Sequence, residues 1–296
     1  MNQFTIKDLE HLSGIKAHTI RIWEQRYSFL KPERTETNIR YYNNEHLKLI
    51  LNIALLNKYG YKISHIDKMS EDDMRQKILS LSTSQAQEEN KVNQLIQCMV
   101  DLDMHNFEQL LNQYIREYNV DKAIMQIVFP FLERIGLLWV TNHIHPAQEH
   151  LVSNIIRQKI ILGIDKLPLA DISKPSVLMF LPEGELHEIG LLFMQYVLKV
   201  HGHNILYVGA NIPLKDIAAI CNSTRISCLY CHLTSASEKF PLERFLTQLP
   251  LKVPKIPAVI SGSLLERYSK NPPAGFQFVR SLQEALNSVN SILFKI

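Results

Sequence analysis

Residues 175–202, PSVLMFLPEGELHEIGLLFMQYVLKVHG, carry the change of period that decides the architecture. The run over 175–182 is short and continuously apolar, as a strand buried on both faces must be. From 186 the apolar residues take helical spacing and stop at Gly202, a residue type that closes helices. The same pairing recurs downstream. NILYVG (204–209) reads as a strand and LKDIAAICNS (214–223) as a helix. ISCLYCHLT (226–234) is a strand and LERFLTQL (242–249) a helix. PAVISG (257–262) and FQFVR (276–280) are strands, followed by LLERYSK (264–270) and LQEALNSVNSILF (282–294) as helices. Five strands alternating with five helices predict a parallel sheet covered on both faces. About 120 residues for five units suits a flavodoxin-like, Rossmann-type five-stranded sheet, whose ligands sit beyond the carboxyl ends of the strands.

Upstream, residues 92–165 have helical period and little Gly or Pro. Leu95, Ile96, Met99, Val100 and Leu102 begin one stripe; Phe107, Leu110, Leu111 and Tyr114 continue it. Ile124–Leu138 and Leu151–Ile161 give two more helices, so a four-helix bundle is expected. The polar segment 82–94 reads as a linker or an exposed helix start. At the N-terminus, Leu9, Leu12, Ile15 and Ile20 are spaced for two short helices about a turn at Ser13-Gly14, the second starting near Ala17. The chain is therefore multidomain, α and α/β: 1–75 a winged helix-turn-helix, 76–170 the bundle, and 171–296 the sheet domain.

The 296 residues carry 46% hydrophobic and 21% charged side chains, ordinary globular usage that excludes long disorder and fibres. Net charge is +3, but residues 1–70 hold 11 Lys/Arg against 7 Asp/Glu. The basic excess therefore lies at the N-terminus, a modest footprint for a polyanion. Four cysteines, no opening secretory signal and no apolar run of about 18 residues predict a cytoplasmic chain without a membrane span. Cys228 and Cys231 lie in one strand with side chains on opposite faces, which rejects a zinc pair. No G-x-G-x-x-G and no nucleophile–base pair stands out, so an enzyme is not expected.

On the second helix, His18, Thr19 and Arg21 are placed to meet bases or phosphates, with Arg26 and Tyr27 closing it. Arg34 and Arg40 flank a loop with Asn38 at its tip and Tyr41 after it, giving further phosphate contacts. The order T-I-x-x-L, G-I, T-I-R-x-W-E-x-R-Y, L-x-P-x-R-T, R-x-Y over residues 4 to about 70 resembles the winged-helix DNA-binding domain of the MerR family. The resemblance implies binding to double-stranded operator DNA as an oligomer, a dimer or tetramer.

Glu185-Leu186-His187-Glu188-Ile189-Gly190 follows the first strand of the sheet. A histidine there lies at the ligand edge, and a carboxylate two residues earlier can fix its tautomer. Gly190 has no side chain and lets a bulky group approach. This Glu-x-His-x-x-Gly resembles the signature of base-off, His-on cobalamin-binding domains. By that resemblance His187 is the lower ligand of cobalt, Glu185 its hydrogen-bond partner and Gly190 a contact of the nucleotide tail that threads into the sheet. Cys231 and Leu233 stand where that family has Ser-x-Leu, and Gly262 and Ser263 where it has Gly-Gly, all lining the tail tunnel. In the bundle, Trp139 is followed after nine residues by Glu149-His150, similar to the cap of CarH/LitR-type photoreceptor repressors. There the bundle covers adenosylcobalamin, with the Trp over the adenosyl group. Some members carry His directly after that Trp; Val140 stands here. The resemblance implies a cobalamin-dependent, light-responsive repressor with adenosylcobalamin between bundle and sheet. Two alternatives stand beside it: a regulator that keeps the fold and acts without cobalamin, and a corrinoid carrier of a methyltransferase system.

Overall fold

Thr5 and Asp8 form a reciprocal cap that starts the first helix, Thr5 N donating to Asp8 Oδ2 at 2.6 Å and Asp8 N to Thr5 Oγ1 at 3.3 Å. The computed structural model describes residues 2–140, 145–171, 173–234, 241–253 and 256–294. Helix α1 (Ile6–Ser13) ends at Gly14, whose φ of 75° is open to glycine at little cost. Helix α2 (Ala17–Arg26) then starts at the residue the spacing predicts. Strands β1 (Glu33–Arg34) and β2 (Arg40–Tyr41) pair antiparallel as the wing. Helices α3 (Asn44–Lys58), α4 (Ile63–Ile66) and α5 (Glu71–Leu79) follow. The bundle is α6 (Ser84–Val100), α7 (Met104–Ala123), α8 (Phe129–Val140) and α9 (Pro146–Asp165). The polar stretch 82–94 is thus the start of α6, capped by Thr83. A π-helical segment, Ile124–Val128, joins α7 to α8.

The chain forms two compact units, 1–156 and 157–296. In the first, Leu9, Leu12, Ile20 and Trp23 of the helix-turn-helix are buried, as are Leu95, Ile96, Phe107 and Phe131 of the bundle. Arg134 on α8 is buried and reaches α1, donating to the Leu12 carbonyl and to Asn93 Oδ1 at 2.8 Å. Burial pushes its guanidinium down to about 10.

In the second unit, β3 (Ser176–Pro182), β4 (Asn204–Ile212), β5 (Ile226–His232), β6 (Ala258–Ser261) and β7 (Phe276–Phe278) are all parallel, in the order β4-β3-β5-β6-β7. This is the flavodoxin order, with its switch point between β3 and β5. Helices α10 (Ile189–Val200), α11 (Leu214–Ser223), α12 (Leu242–Lys252) and α13 (Leu282–Phe294) cover it. The expected helix 264–270 is instead a 3-10 turn, Ser263–Arg267. Seven residues before Pro272-Pro273 are too few to propagate an α-helix.

Alternation assigns the two faces. Leu178 and Phe180 of β3, Leu229, Cys231 and Leu233 of the β5 run and Ile260 of β6 form one apolar core with Ile217 of α11 and Phe245, Leu246 and Leu249 of α12. Tyr230, His232 and Ser261 take the other face, where α10 and α13 pack. This corrects the placement of Cys231 and Leu233 beside a ligand tunnel. Both side chains are in the core on the far face, and burial holds the Cys231 thiol well above its usual value. Ser263 is exposed, its hydroxyl 3.4 Å from the Thr234 carbonyl; the side chain of this run that faces α10 and α13 is Ser261.

Candidate functional site

Helix α2 turns Ile20 and Trp23 inward, which leaves His18, Arg21, Ile22, Gln25 and Arg26 exposed. Thr19 and Tyr27 are half-buried, and Tyr27 stacks on Phe29 with ring centroids 5.6 Å apart. In the wing, Arg34 Nη1 donates to Asn38 Oδ1 at 2.8 Å and to its carbonyl at 3.2 Å. Asn38 sits at φ 64°, a left-handed position that Asn tolerates better than most residues. Tyr41 OH donates to Glu33 Oε2 at 2.6 Å, which raises the phenol. Arg40 Nε lies 3.4 Å from Glu24 Oε2. The Glu24 carboxylate also accepts from buried Tyr42 OH, so one residue of α2 holds both Arg40 of the wing and the residue just after it. Burial and that carboxylate raise Tyr42. Glu24 was not among the predicted interface residues; its role comes from contacts 16 and 18 positions away, which spacing does not show.

In the bundle, Glu149 is buried at the start of α9. Its Oε1 accepts from Ser153 Oγ and its Oε2 lies 2.9 Å from Nδ1 of exposed His150. Neighbouring Gln148 is buried and donates to the Met99 carbonyl at 3.2 Å. Trp139 belongs to α8, and its side chain lies outside the described residues.

At the carboxyl end of β3 the loop Glu183–Glu188 presents His187, its side chain 45% exposed. Glu185 beneath it is fully buried. Glu185 Oε1 accepts from His187 N at 2.9 Å and lies 2.7 Å from His187 Nδ1. Its Oε2 accepts from Thr234 N at 3.0 Å, tying the loop to the end of β5. A buried carboxylate is costly unless so bonded, and these bonds fix the ring through Nδ1. Nε2 is then the nitrogen through which the ring would ligate a metal. Next in sequence, Glu188 Oε1 accepts from Tyr207 OH at 2.8 Å, and Glu188 Oε2 lies 2.6 Å from Arg157 Nη2 of α9. Neither partner was predicted.

Gly190, in the first turn of α10, lies against His232: a Cβ there would be 2.2 Å from His232 Cδ2. A Cβ on Gly262 would be 2.1 Å from the Leu233 carbonyl oxygen, and its φ of 107° also demands glycine. His232 Nδ1 is 2.8 Å from Ser261 Oγ, which is 2.6 Å from Tyr230 OH. Burial pushes His232 down to about 4, so it is neutral. The period-2 pattern of β5 could have found His232 and Tyr230, because both are out of phase with Leu229, Cys231 and Leu233.

Residues 4–73 match the family described as MerR HTH family regulatory protein, and residues 92–162 match the B12 binding domain. The chain is 24% identical over 267 residues to the HTH-type transcriptional repressor CarH of Myxococcus xanthus, covering 88% of this chain and 89% of that one. It is 26% identical over 226 residues to the repressor CarA of the same organism, covering 74% and 73%. Among solved structures it is similar in fold to the monomethylamine corrinoid protein of Methanosarcina barkeri, with TM-score 0.52, 12% identity, and coverage of 68% of this chain and 98% of that one.

A corrin already surrounds its cobalt with four nitrogens, so the protein need supply only one. Among the described residues there is no cluster of three metal-ligating side chains, and none is required. The Glu185–His187 pair fits that single ligand. Among the described residues no helix is long and apolar enough to cross a membrane. The chain thus carries a MerR-type helix-turn-helix segment over residues 4–73 and a segment matching a B12 binding domain over 92–162, and is similar along most of its length to the repressor CarH.

Proposed function

We propose that the chain is a transcriptional repressor whose grip on operator DNA is set by a bound cobalamin, adenosylcobalamin in its active form. The observation that carries this reading is buried Glu185 fixing His187 at the ligand edge of the sheet, in a chain that begins with a winged helix-turn-helix. His187 would supply the protein's ligand to cobalt, through Nε2. Glu185 holds the ring in place through Nδ1, which leaves Nε2 turned away from the carboxylate. By the same resemblance, Trp139, Glu149 and His150 of the bundle would contact the bound cofactor. When bound, adenosylcobalamin supplies a light-labile cobalt–carbon bond. On the DNA side, His18, Thr19, Arg21, Arg26 and Tyr27 of α2 meet the major groove. The wing residues Arg34, Asn38, Arg40 and Tyr41 hold the backbone. The three-domain division at 75/76 and 170/171 belongs to the same reading, as does DNA binding by a homo-oligomer that light dissociates. The relatives are repressors, and the chain acts as a regulator rather than an enzyme.

His187→Ala is the direct test. With the wild type, the paramagnetic cobalt(II) form should show nitrogen coupling that ¹⁵N-histidine labelling changes, and the variant should lose it. The same spectrum in both proteins removes His187 from the cobalt. A regulator that keeps the fold without a cofactor is favoured by one observation, the close packing of the His232 ring on Gly190. That reading predicts a protein that stays colourless after incubation with cobalamin and desalting.

A further inference from the structure

We propose that His232, held by Ser261 and Tyr230, closes the space below His187, so that this chain selects corrinoids that lack a bulky lower nucleotide. The proposal rests on the reading that His187 ligates cobalt. Cobalamin carries its own base on a nucleotide chain. When a protein imidazole takes the lower cobalt position, that base is displaced and has to lodge in the protein beneath the corrin.

By the resemblance to cobalamin-binding domains, that region lies against two glycines, Gly190 at the start of α10 and Gly262 after β6. At each of them the chain's own atoms approach closely. The His232 ring lies against Gly190, where an added Cβ would be 2.2 Å from Cδ2 and 2.3 Å from Nε2. At Gly262 the neighbour is the Leu233 backbone of the adjoining strand run, 2.1 Å from such a Cβ at the carbonyl oxygen and 2.7 Å at the nitrogen. A ring can rotate away, but backbone held by the Leu233 N to Ser261 O bond at 2.8 Å cannot leave without opening β5 from β6. His232 is itself held by Ser261 Oγ at 2.8 Å. Tyr230 and Ser261 are buried and bonded to one another at 2.6 Å. Burial keeps His232 neutral, which removes charge repulsion as a reason for the ring to swing out. A corrinoid without the nucleotide needs none of this space and only the exposed His187 ring.

The test uses the full-length protein, titrated in the dark with adenosylcobinamide, which lacks the nucleotide, and with adenosylcobalamin, each followed by absorbance. The proposal predicts that cobinamide binds tighter by about tenfold or more. His232→Ala should tighten cobalamin by about tenfold while leaving cobinamide unchanged. His232→Asn, which shortens the side chain and can still bond Ser261, serves if the alanine variant does not fold. Equal or tighter binding of cobalamin by the wild type, with nitrogen coupling from His187, overturns this proposal and leaves the cobalamin-repressor reading standing. A folded protein that binds neither corrinoid overturns both.

Discussion

His232 is neutral in the fold, its imidazole driven by burial down to about 4 from an ordinary 6.5, with the Glu185 carboxylate opposing the shift. Between those values the unfolded chain takes up a proton that the folded chain refuses. The stability tied to this histidine is therefore complete above about pH 6.5 and falls as pH is lowered toward 4, by roughly 3 kcal/mol at about 1.4 kcal/mol per unit. His203, also lowered by burial, adds in the same direction. Urea unfolding of the wild type and of His232→Asn between pH 7 and 4.5 should show a shallower loss for the variant; parallel losses would deny the burial of the ring. At this scale the sequence was legible in part. Glu185, His187 and Gly190 lie within six residues, so their association follows from one loop. Cys231 was misplaced because a motif was aligned by spacing, while strand phase puts its thiol among Phe180, Phe245 and Leu246 and turns His232 toward Gly190. Arg21 is exposed on α2 as its position predicts. Arg21→Ala should weaken DNA binding at fixed salt by roughly 1–3 kcal/mol if it makes a bidentate base contact. Unchanged anisotropy with the same DNA would remove it from the interface.

The elements that matter most are joined by single side chains. Glu24 ties α2 to the wing through Arg40 and Tyr42. Glu24→Ala strips the buried Tyr42 hydroxyl of its acceptor. It should cost about 2 kcal/mol of stability, with a loss of DNA affinity that exceeds what unfolding explains. Arg134 ties α8, the helix that carries Trp139, to the carbonyl at the end of α1. Arg134→Leu leaves the Leu12 carbonyl and Asn93 without this donor, and a stability loss of about 2 kcal/mol is expected in denaturant unfolding. The same variant should keep corrinoid binding and lose part of the corrinoid's effect on DNA affinity; an undiminished effect would show that the coupling runs elsewhere. Helices α1, α2 and α6–α9 of the first unit and α10–α13 of the second were readable from apolar period, and α2 begins where predicted; α3–α5 were not read. Neither link was readable, because Arg134 and Leu12 are 122 positions apart and nothing local marks the pair. The 3-10 turn at Ser263–Arg267 was misread as a helix because apolar spacing alone ignores how short the run is before two prolines.

For the whole molecule, strand–helix alternation sufficed to specify the parallel sheet, since right-handed crossovers leave few topologies. The strand order itself, with β3 inside β4, follows from the fold class rather than from any one residue. The helix-turn-helix and most of the bundle form one compact unit and the sheet the other, with the division inside α9 between Ile156 and Arg157. Arg157 pairs with Glu188, next to His187, so the loop that would hold cobalt is bonded to the helix that runs on from the bundle. A ligand acts on DNA affinity only through a difference in its binding to two states of the protein. Corrinoid and DNA are therefore coupled only if the corrinoid favours the state that grips DNA. The most direct measurement is the anisotropy of a DNA fragment that the protein selects from a random pool, titrated in the dark at fixed salt with and without the corrinoid it retains after desalting. The account predicts tighter DNA binding by about tenfold or more, roughly 1.4 kcal/mol, with corrinoid bound. Equal DNA affinity with the corrinoid demonstrably on the protein would contradict it.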